Sequence, residues 1–320
     1  MKIAIIGAGL AGLACARALA ASGHQVRLFD KGRAAGGRLA TRRLEHDGQT
    51  IRFDHGAQYL RVRHAGFGRL LAEQGCQPWP RSEDGEDGPR LVPVPAMSAL
   101  PRALAQGLDL TTGVHVAALR RQEEGWMLGH VPAAVVKGPI APPGLEPVWE
   151  GPFDAVALTA PAPQSAALLA VPAPDLAEAL EVVEYAPCWS WMAAFAEPLP
   201  LPDTLRPDLG PIGWAARNNA KPGREGPEAW VVQTAPQWSR EHLESSPEQV
   251  SAALRAVLRA PEPLVQAAHR WRFSLVERAL GRPCLWDAGL KLGVAGDFCL
   301  AGRAESAFLS GEALAQAMRS

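Results

Sequence analysis

Apolar residues crowd two short runs near the start of the chain, 3–6 and, around Arg27, 26–29, and the stretch between them opens on glycines and continues in mostly small and apolar residues, with Arg17 and a polar end at 22–25. Runs of that length read as buried strands and the intervening stretch as a helix, together a βαβ unit. Farther along, "TTGVHVAALRRQEEGWMLGH" alternates in polarity, turns through polar residues at 123–125 and resumes, which predicts an antiparallel hairpin. The run "GPFDAVALTAPAPQ" at 151–164 then returns the chain to the first sheet. The Pro- and Gly-rich segment 131–152 reads as an exposed loop, and the acidic "SEDGEDG" at 82–88 as a solvated one.

From about 172 to 283 the pattern predicts a second domain. "WSWMAAFAE" at 189–197 reads as a strand. Ser246, Pro247 and Gln249 are the signature of a capped helix start, and Val250, Leu254, Val257 and Leu258 form its apolar face. In "VQAAHRWRF" a period of two places His269, Trp271 and Phe273 on one side of a strand, with Arg270 and Arg272 on the other. No internal repeat and no apolar run of transmembrane length interrupts this pattern.

Composition narrows the function classes. The 320 residues, 48% hydrophobic and 20% charged, suit a soluble chain of one large or two moderate domains. A formal net charge of −1 with scattered basic residues argues against nucleic acid and anionic membranes as partners. The five cysteines, Cys15, Cys76, Cys188, Cys284 and Cys299, are odd in number and lack C-x-x-C spacing, so neither a disulfide framework nor a structural zinc site is expected. No metal-ligand cluster stands out among the eight histidines, so no metal is expected, and a reducing cytoplasm is the expected setting. The N-terminus imitates a signal peptide, but its glycine spacing gives it a different use.

That spacing is G-x-G-x-x-G, ending in a strand capped by an acid. Gly7 allows a tight turn, Gly9 lets backbone approach a pyrophosphate, and Gly12 permits close helix–strand packing, while the amides around Leu10 and Ala11 open the helix toward an anion. Asp30, followed by Lys31, is placed to accept hydrogen bonds from ribose hydroxyls. The unit predicts an adenine dinucleotide. A second glycine-rich loop, "KGRAAGGRLATRR", follows at once, where a pure NAD domain continues into helix and strand.

"GGR" after the first βαβ unit resembles the second glycine motif of the FAD-containing amine oxidase superfamily, and "FDKGRAAGGRLATRR" with "DHGAQY" is similar to its bacterial renalase-like branch. The resemblance covers most of the chain, most strongly residues 1–64 and 285–315. It implies an α/β fold: a Rossmann-like FAD-binding domain with a β-meander (1–74, 107–170 and 284–320) and an interrupted α+β substrate domain (75–106 and 171–283). Gly36 and Gly37 would bring backbone close to FAD, and Arg38 would meet phosphate or flavin oxygens as a forked donor. Gln58, Tyr59 and the backbone at Val116 join the expected cofactor contacts. The C-terminal "GDFCLAGRAESAFLSG" resembles the segment that returns to hold the far end of FAD, with Gly296, Asp297, Glu305, Ser306 and Ala307 as its contacts. No Cys or His sits at a recognisable attachment motif, so the FAD is expected to be noncovalent.

The resemblance also implies the reaction: oxidation of the 2- and 6-dihydro isomers of reduced nicotinamide dinucleotides, with hydride passing to flavin and electrons to O2, giving hydrogen peroxide and NAD(P)+. Arg303 stands about where amine oxidases of the superfamily carry a cage tyrosine, and the chain has only Tyr59 and Tyr185, which disfavours a tyrosine cage for amines. Candidate pocket residues are Trp189, Trp214, Arg217, Asn218, His269, Trp271 and Arg303; none is assigned as catalytic. His55 and His269 are the histidines nearest the motifs and read as structural rather than as general bases. Alternatives are a flavin amine oxidase, a desaturase-type oxidoreductase, and a non-enzymatic binder like the Rab GDP-dissociation inhibitors. The sequence leaves the oligomeric state open.

Overall fold

A computed structural model of the chain describes residues 1–79, 89–136, 144–207 and 210–320. The acidic segment at 82–88 and residues 137–143 of the expected Pro- and Gly-rich loop lie outside them. The chain forms two compact units, one made of Met1–Gly37, Pro101–Glu184 and Val276–Ser320, the other of Arg38–Leu100 and Tyr185–Leu275.

In the first unit the apolar run becomes the strand Lys2–Ile6, inside a six-stranded sheet. Gln25–Asp30 and Ala155–Leu158 flank it in parallel, with Asp109–Thr112 and Leu292–Val294 parallel beyond them. Leu285–Asp287 closes one edge antiparallel. Ile3, Ala4 and Ile5 are fully buried, which is why these positions carry no polar side chain. The helix Leu10–Ala21 packs against the last helix, Ala304–Ala317. A Cβ at Gly311 would lie 2.2 Å from the Ala11 carbonyl oxygen, so the close approach of the two helices requires glycine there. The alternating stretch forms the expected hairpin, Val114–Gln122 with Gly125–Pro132, and Val148–Phe153 completes a three-stranded antiparallel sheet.

The second unit is built on a five-stranded antiparallel sheet in the order Thr204–Leu205, Ile212–Arg217, Glu228–Thr234, Glu184–Phe195 and Val265–Arg278. One face buries Trp191, Phe195, Trp230 and Val232 beneath the helix Pro247–Leu258. The capping box is present at Ser246 and Gln249. Val250 and Leu254 are buried and Leu258 packs beside them, whereas Val257 is 49% exposed, so the helix packs along the narrower i, i+4, i+8 row.

The division differs from the expected one: 38–74 groups with the second unit, and 101–106, 171–184 and 276–283 with the first. Side-chain chemistry explains the move of 38–74. The Asn218 amide donates to the Arg52 carbonyl and accepts from the Asp54 N–H, Trp271 donates its indole N–H to the His55 carbonyl, and Arg38 donates to the Ser274 carbonyl. Hydrophobic periodicity carries no trace of such long-range polar pairs. Among the described residues no helix is long and apolar enough to cross a membrane.

Candidate functional site

The glycine loop of the first unit is fixed from three sides. Gly7 adopts φ +105°, open to glycine, and the Thr159 hydroxyl donates between the carbonyls of Ile6 and Gly7 at 3.0 and 2.9 Å. A Cβ at Gly12 would sit 2.0 Å from the Gly7 carbonyl oxygen, whereas at Gly9 it would meet nothing within 4 Å. Gly12 is therefore glycine for packing, and Gly9 leaves the open backbone surface that a pyrophosphate needs at a helix start. Both Asp30 carboxylate oxygens accept backbone N–H bonds of 2.6 Å, one from Ala8 and one from Gly32. Burial pushes this carboxyl up, against the lowering effect of those two N–H groups. The second glycine motif is joined to the first, since Gly36 donates its N–H to the Ala8 carbonyl at 2.9 Å and Gly37 adopts φ +53°. These are the features an FAD diphosphate would require, and the residues fit the group.

The returning segment belongs to the same unit. Gly296 follows Leu292–Val294, two strands from Lys2–Ile6, and donates its N–H to the Ser310 hydroxyl. Asp297, Glu305, Ser306 and Ala307 are buried, the last three in the first turn of the helix Ala304–Ala317. Arg303 is its exposed N-cap residue, without a side-chain capping bond. Val116 is buried in the hairpin opposite His130. Lys31 is exposed, and its charge adds to burial in pushing His115 down.

Arg38, Gln58 and Tyr59 lie in the second unit. The Gln58 amide is spent internally, donating to the carbonyls of Asp54 and Gly56 and accepting from Lys221 Nζ at 3.1 Å. Several pocket candidates also serve the scaffold. Trp189 lies in the core with its indole N–H on the His242 carbonyl. Arg217 is held by Glu228, Asp203 and the carbonyls of Leu199 and Leu201. Asn218 is 1% exposed and spends its amide on Arg52 and Asp54.

His269 and Trp271 instead meet His55. The His55 ring lies 5.0 Å from His269 and 5.1 Å from Trp271, and the latter two are 4.4 Å apart. Burial pushes His55 down to about 4, with His269 and Arg42 contributing, and burial then Arg42 do the same for His269. Both imidazoles are neutral at physiological pH, and His55 Nδ1 is buried without a hydrogen-bond partner among the described residues. Trp214, half-buried, packs edge-on against Tyr59 at 5.5 Å.

Sequence reasoning missed one cluster. Asp54 and Lys221 are fully buried in their side chains, 3.5 Å apart, and Arg224 reaches the same carboxylate at 2.8 Å. Burial pushes the Asp54 carboxyl up, but Lys221, Arg224 and the Met97 N–H outweigh it and hold it low. Burial pushes Lys221 down to about 8 despite Asp54. A Lys and an Arg three residues apart in "NNAKPGR", without an apolar period around them, were the available signal.

Comparison with known proteins agrees with this geometry. Residues 5–73 match the family described as NAD(P)-binding Rossmann-like domain, and 81–319 that of flavin containing amine oxidoreductase. A 62-residue stretch is 47% identical to 4,4'-diapophytoene desaturase of Staphylococcus haemolyticus, covering 19% of this chain and 12% of that protein. The same enzyme of Staphylococcus aureus strain Newman is 50% identical over 56 residues, 18% of this chain and 10% of that one. The chain thus matches about a tenth of the length of these curated relatives. A solved structure from Exiguobacterium sp. 255-15, described as a candidate protoporphyrinogen oxidase, superposes over 99% of this chain and 98% of its own with TM-score 0.72 at 13% identity. Wild-type putrescine oxidase bound to putrescine does so over 99% and 98% with TM-score 0.67 at 14% identity.

Proposed function

Because the chain belongs to the flavin containing amine oxidoreductase family, we propose that this FAD-dependent oxidoreductase oxidises the 2- or 6-dihydro isomers of reduced nicotinamide dinucleotides to NAD(P)+. The non-enzymatic binding reading falls away with the family. The observation that favours a dihydronicotinamide over an amine is the ring cluster of the second unit. His55, His269 and Trp271 are planar and uncharged, and the Arg42 cation acts on both imidazoles. Such a place repels an ammonium group and suits a neutral, flat, reduced ring.

FAD, when bound, would supply the acceptor for one hydride, two electrons carried with a proton, and pass the two electrons to O2, which with that proton and a second from solvent gives hydrogen peroxide. The chain's own part is to hold and orient. Asp30, Gly9 and the Gly36–Gly37 turn would hold the adenosine-diphosphate half of the cofactor, and the helix starting at Ala304 would turn its positive dipole end toward the other half, favouring negative charge there. The ring cluster positions the substrate ring and excludes water. No cysteine or histidine is assigned a covalent link, so denaturation should release the yellow cofactor.

Anaerobic mixing with each dihydronicotinamide isomer, while watching flavin absorbance, tests this reading. Rapid bleaching by the 2- or 6-dihydro dinucleotide, and none by putrescine, is expected. Bleaching by amines alone would favour an amine oxidase, and dehydrogenation of a polyene a desaturase.

A further inference from the structure

Two glutamines of the second unit meet at one carbonyl and end differently. Gly56 is held against the Arg38 backbone: an added Cβ would come within 2.0 Å of the Arg38 carbonyl oxygen, and the Ala57 N–H donates to that same oxygen at 2.8 Å. The Gly56 carbonyl so fixed accepts the Gln58 amide at 3.1 Å and the Gln233 amide at 2.6 Å. A carbonyl only accepts, so each side chain must turn its nitrogen toward Gly56 and its oxygen away. The Gln58 oxygen is taken by Lys221 Nζ. The Gln233 oxygen has no hydrogen-bond partner among the described residues, and in this half-buried side chain it is not sealed off as His55 Nδ1 is.

Gln233 stands beside the ring cluster. His55 precedes Gly56 and its carbonyl accepts the Trp271 indole N–H at 2.9 Å, so two successive carbonyls of one turn fasten Trp271 on one strand and Gln233 on another. Only the strand Glu184–Phe195 separates those two in the sheet, which sets them about 10 Å apart. Within the cluster the Trp271 N–H is spent, His55 Nδ1 is closed off, and the His269 ring donates or accepts according to its tautomer. The fixed acceptor next to it is the Gln233 oxygen.

We propose that Gln233 reads the carboxamide of the substrate ring, its Oε1 accepting one carboxamide N–H, and so selects a nicotinamide over rings of the same shape that lack that donor. This rests on the dihydronicotinamide reading above. Flat uncharged walls bind any flat uncharged ring, whereas an oriented acceptor demands a donor, because a ligand without one leaves the oxygen desolvated and unpaired. Gln233 takes no proton and no electron in this role; it selects and orients.

The test compares the dihydro dinucleotide with its 3-acetyl analogue, in which the carboxamide NH2 becomes CH3 and the carbonyl is kept. Anaerobic reduction of the flavin-loaded protein is read as the half-saturating concentration, which separates binding from the different reactivities of the two rings. Wild type should need about threefold to tenfold more of the acetyl analogue, the worth of one neutral hydrogen bond. Gln233→Met, similar in size but without the amide, should raise the half-saturating concentration of the carboxamide substrate by about that factor and shift that of the acetyl analogue by less than about twofold. Flavin absorbance and the unfolding temperature verify the variant. A loss shared equally by both substrates would make Gln233 a strut of the Gly56 turn and overturn the contact. So would a wild type indifferent to the exchange of NH2 for CH3, a result that needs no variant to fold. Should no dihydro dinucleotide bleach the flavin, the proposed reaction fails by itself, and calorimetric titration with NAD+ and its acetyl analogue decides the contact: tighter binding of the carboxamide form that is lost in Gln233→Met leaves it standing, and equal binding or none overturns it too.

Discussion

The carboxylate of Asp30 accepts the backbone N–H of Ala8 at 2.6 Å, so the acid that ends the second strand also pins the turn that begins the first helix. Its other oxygen does the same for Gly32 at 2.6 Å. Each oxygen keeps a further lone pair for a ribose hydroxyl. Asp30 therefore shapes the cradle and keeps lone pairs for what the cradle would hold.

Asp30→Ala should weaken FAD binding about tenfold to a hundredfold, because charge-assisted hydrogen bonds of about 1.5–3 kcal/mol are lost. Titration of the apoprotein with FAD, followed by flavin fluorescence, measures the change. An unaltered affinity in a folded variant would confine Asp30 to the loop.

The buried Lys221 carries a pH signature. Its pKa falls from 10.5 to about 8 on folding, so between those values the unfolded chain binds a proton that the folded chain does not. Its contribution to stability is lowest below about pH 8 and rises through that window, by roughly 3 kcal/mol in all. Lys221→Met should lose this rise. Urea unfolding at pH 7.5 and pH 10 should show the wild type gaining on the variant at the higher pH, and a constant difference would mean that Asp54 compensates the buried ammonium fully despite Arg224.

Local physics was readable from the chain and long-range polar pairing was not. Gly7, Gly9 and Gly12 state their roles in their spacing, and Ser246 with Gln249 states a helix start, because each works within a few residues. The period of two in 265–273 likewise places His269 and Trp271 together. The Asp54–Lys221–Arg224 cluster joins positions about 170 residues apart, and nothing in the sequence around either partner encodes the other. The same blindness moved Arg38, Gln58 and Tyr59 to the wrong side of the expected boundary. Trp189 and Arg217 looked like pocket residues because Trp and Arg are common in pockets; the His242 carbonyl holds the indole and Glu228 the guanidinium within the scaffold.

Acid should act through the ring cluster. His55 and His269 each drop from 6.5 to about 4 on folding, so between those values the unfolded chain is the more protonated. Stability is then full above about pH 6.5 and is lost as pH falls toward 4, by up to about 3 kcal/mol for each ring. Replacing both with glutamine should flatten this part of the unfolding profile. An equally steep acid limb in the double variant would assign it to carboxylates such as Asp54 instead.

The same low pKa values bear on mechanism. A dihydronicotinamide is a neutral reduced ring whose oxidation restores aromaticity, so no N–H or O–H proton need leave before hydride does. Imidazoles that are already neutral above about pH 5 then contribute shape and orientation without changing charge across the working range. The rate of flavin reduction should accordingly vary little between about pH 6 and 9, and His55→Gln or His269→Gln should change it through placement by about tenfold. That is smaller than the roughly 10²–10⁴ supplied by general acid–base groups. Stopped-flow reduction across the pH range, with FAD retention checked for each variant, decides the matter: a steep single-proton dependence that disappears on either substitution would make that histidine a base and sink the orientation-only mechanism.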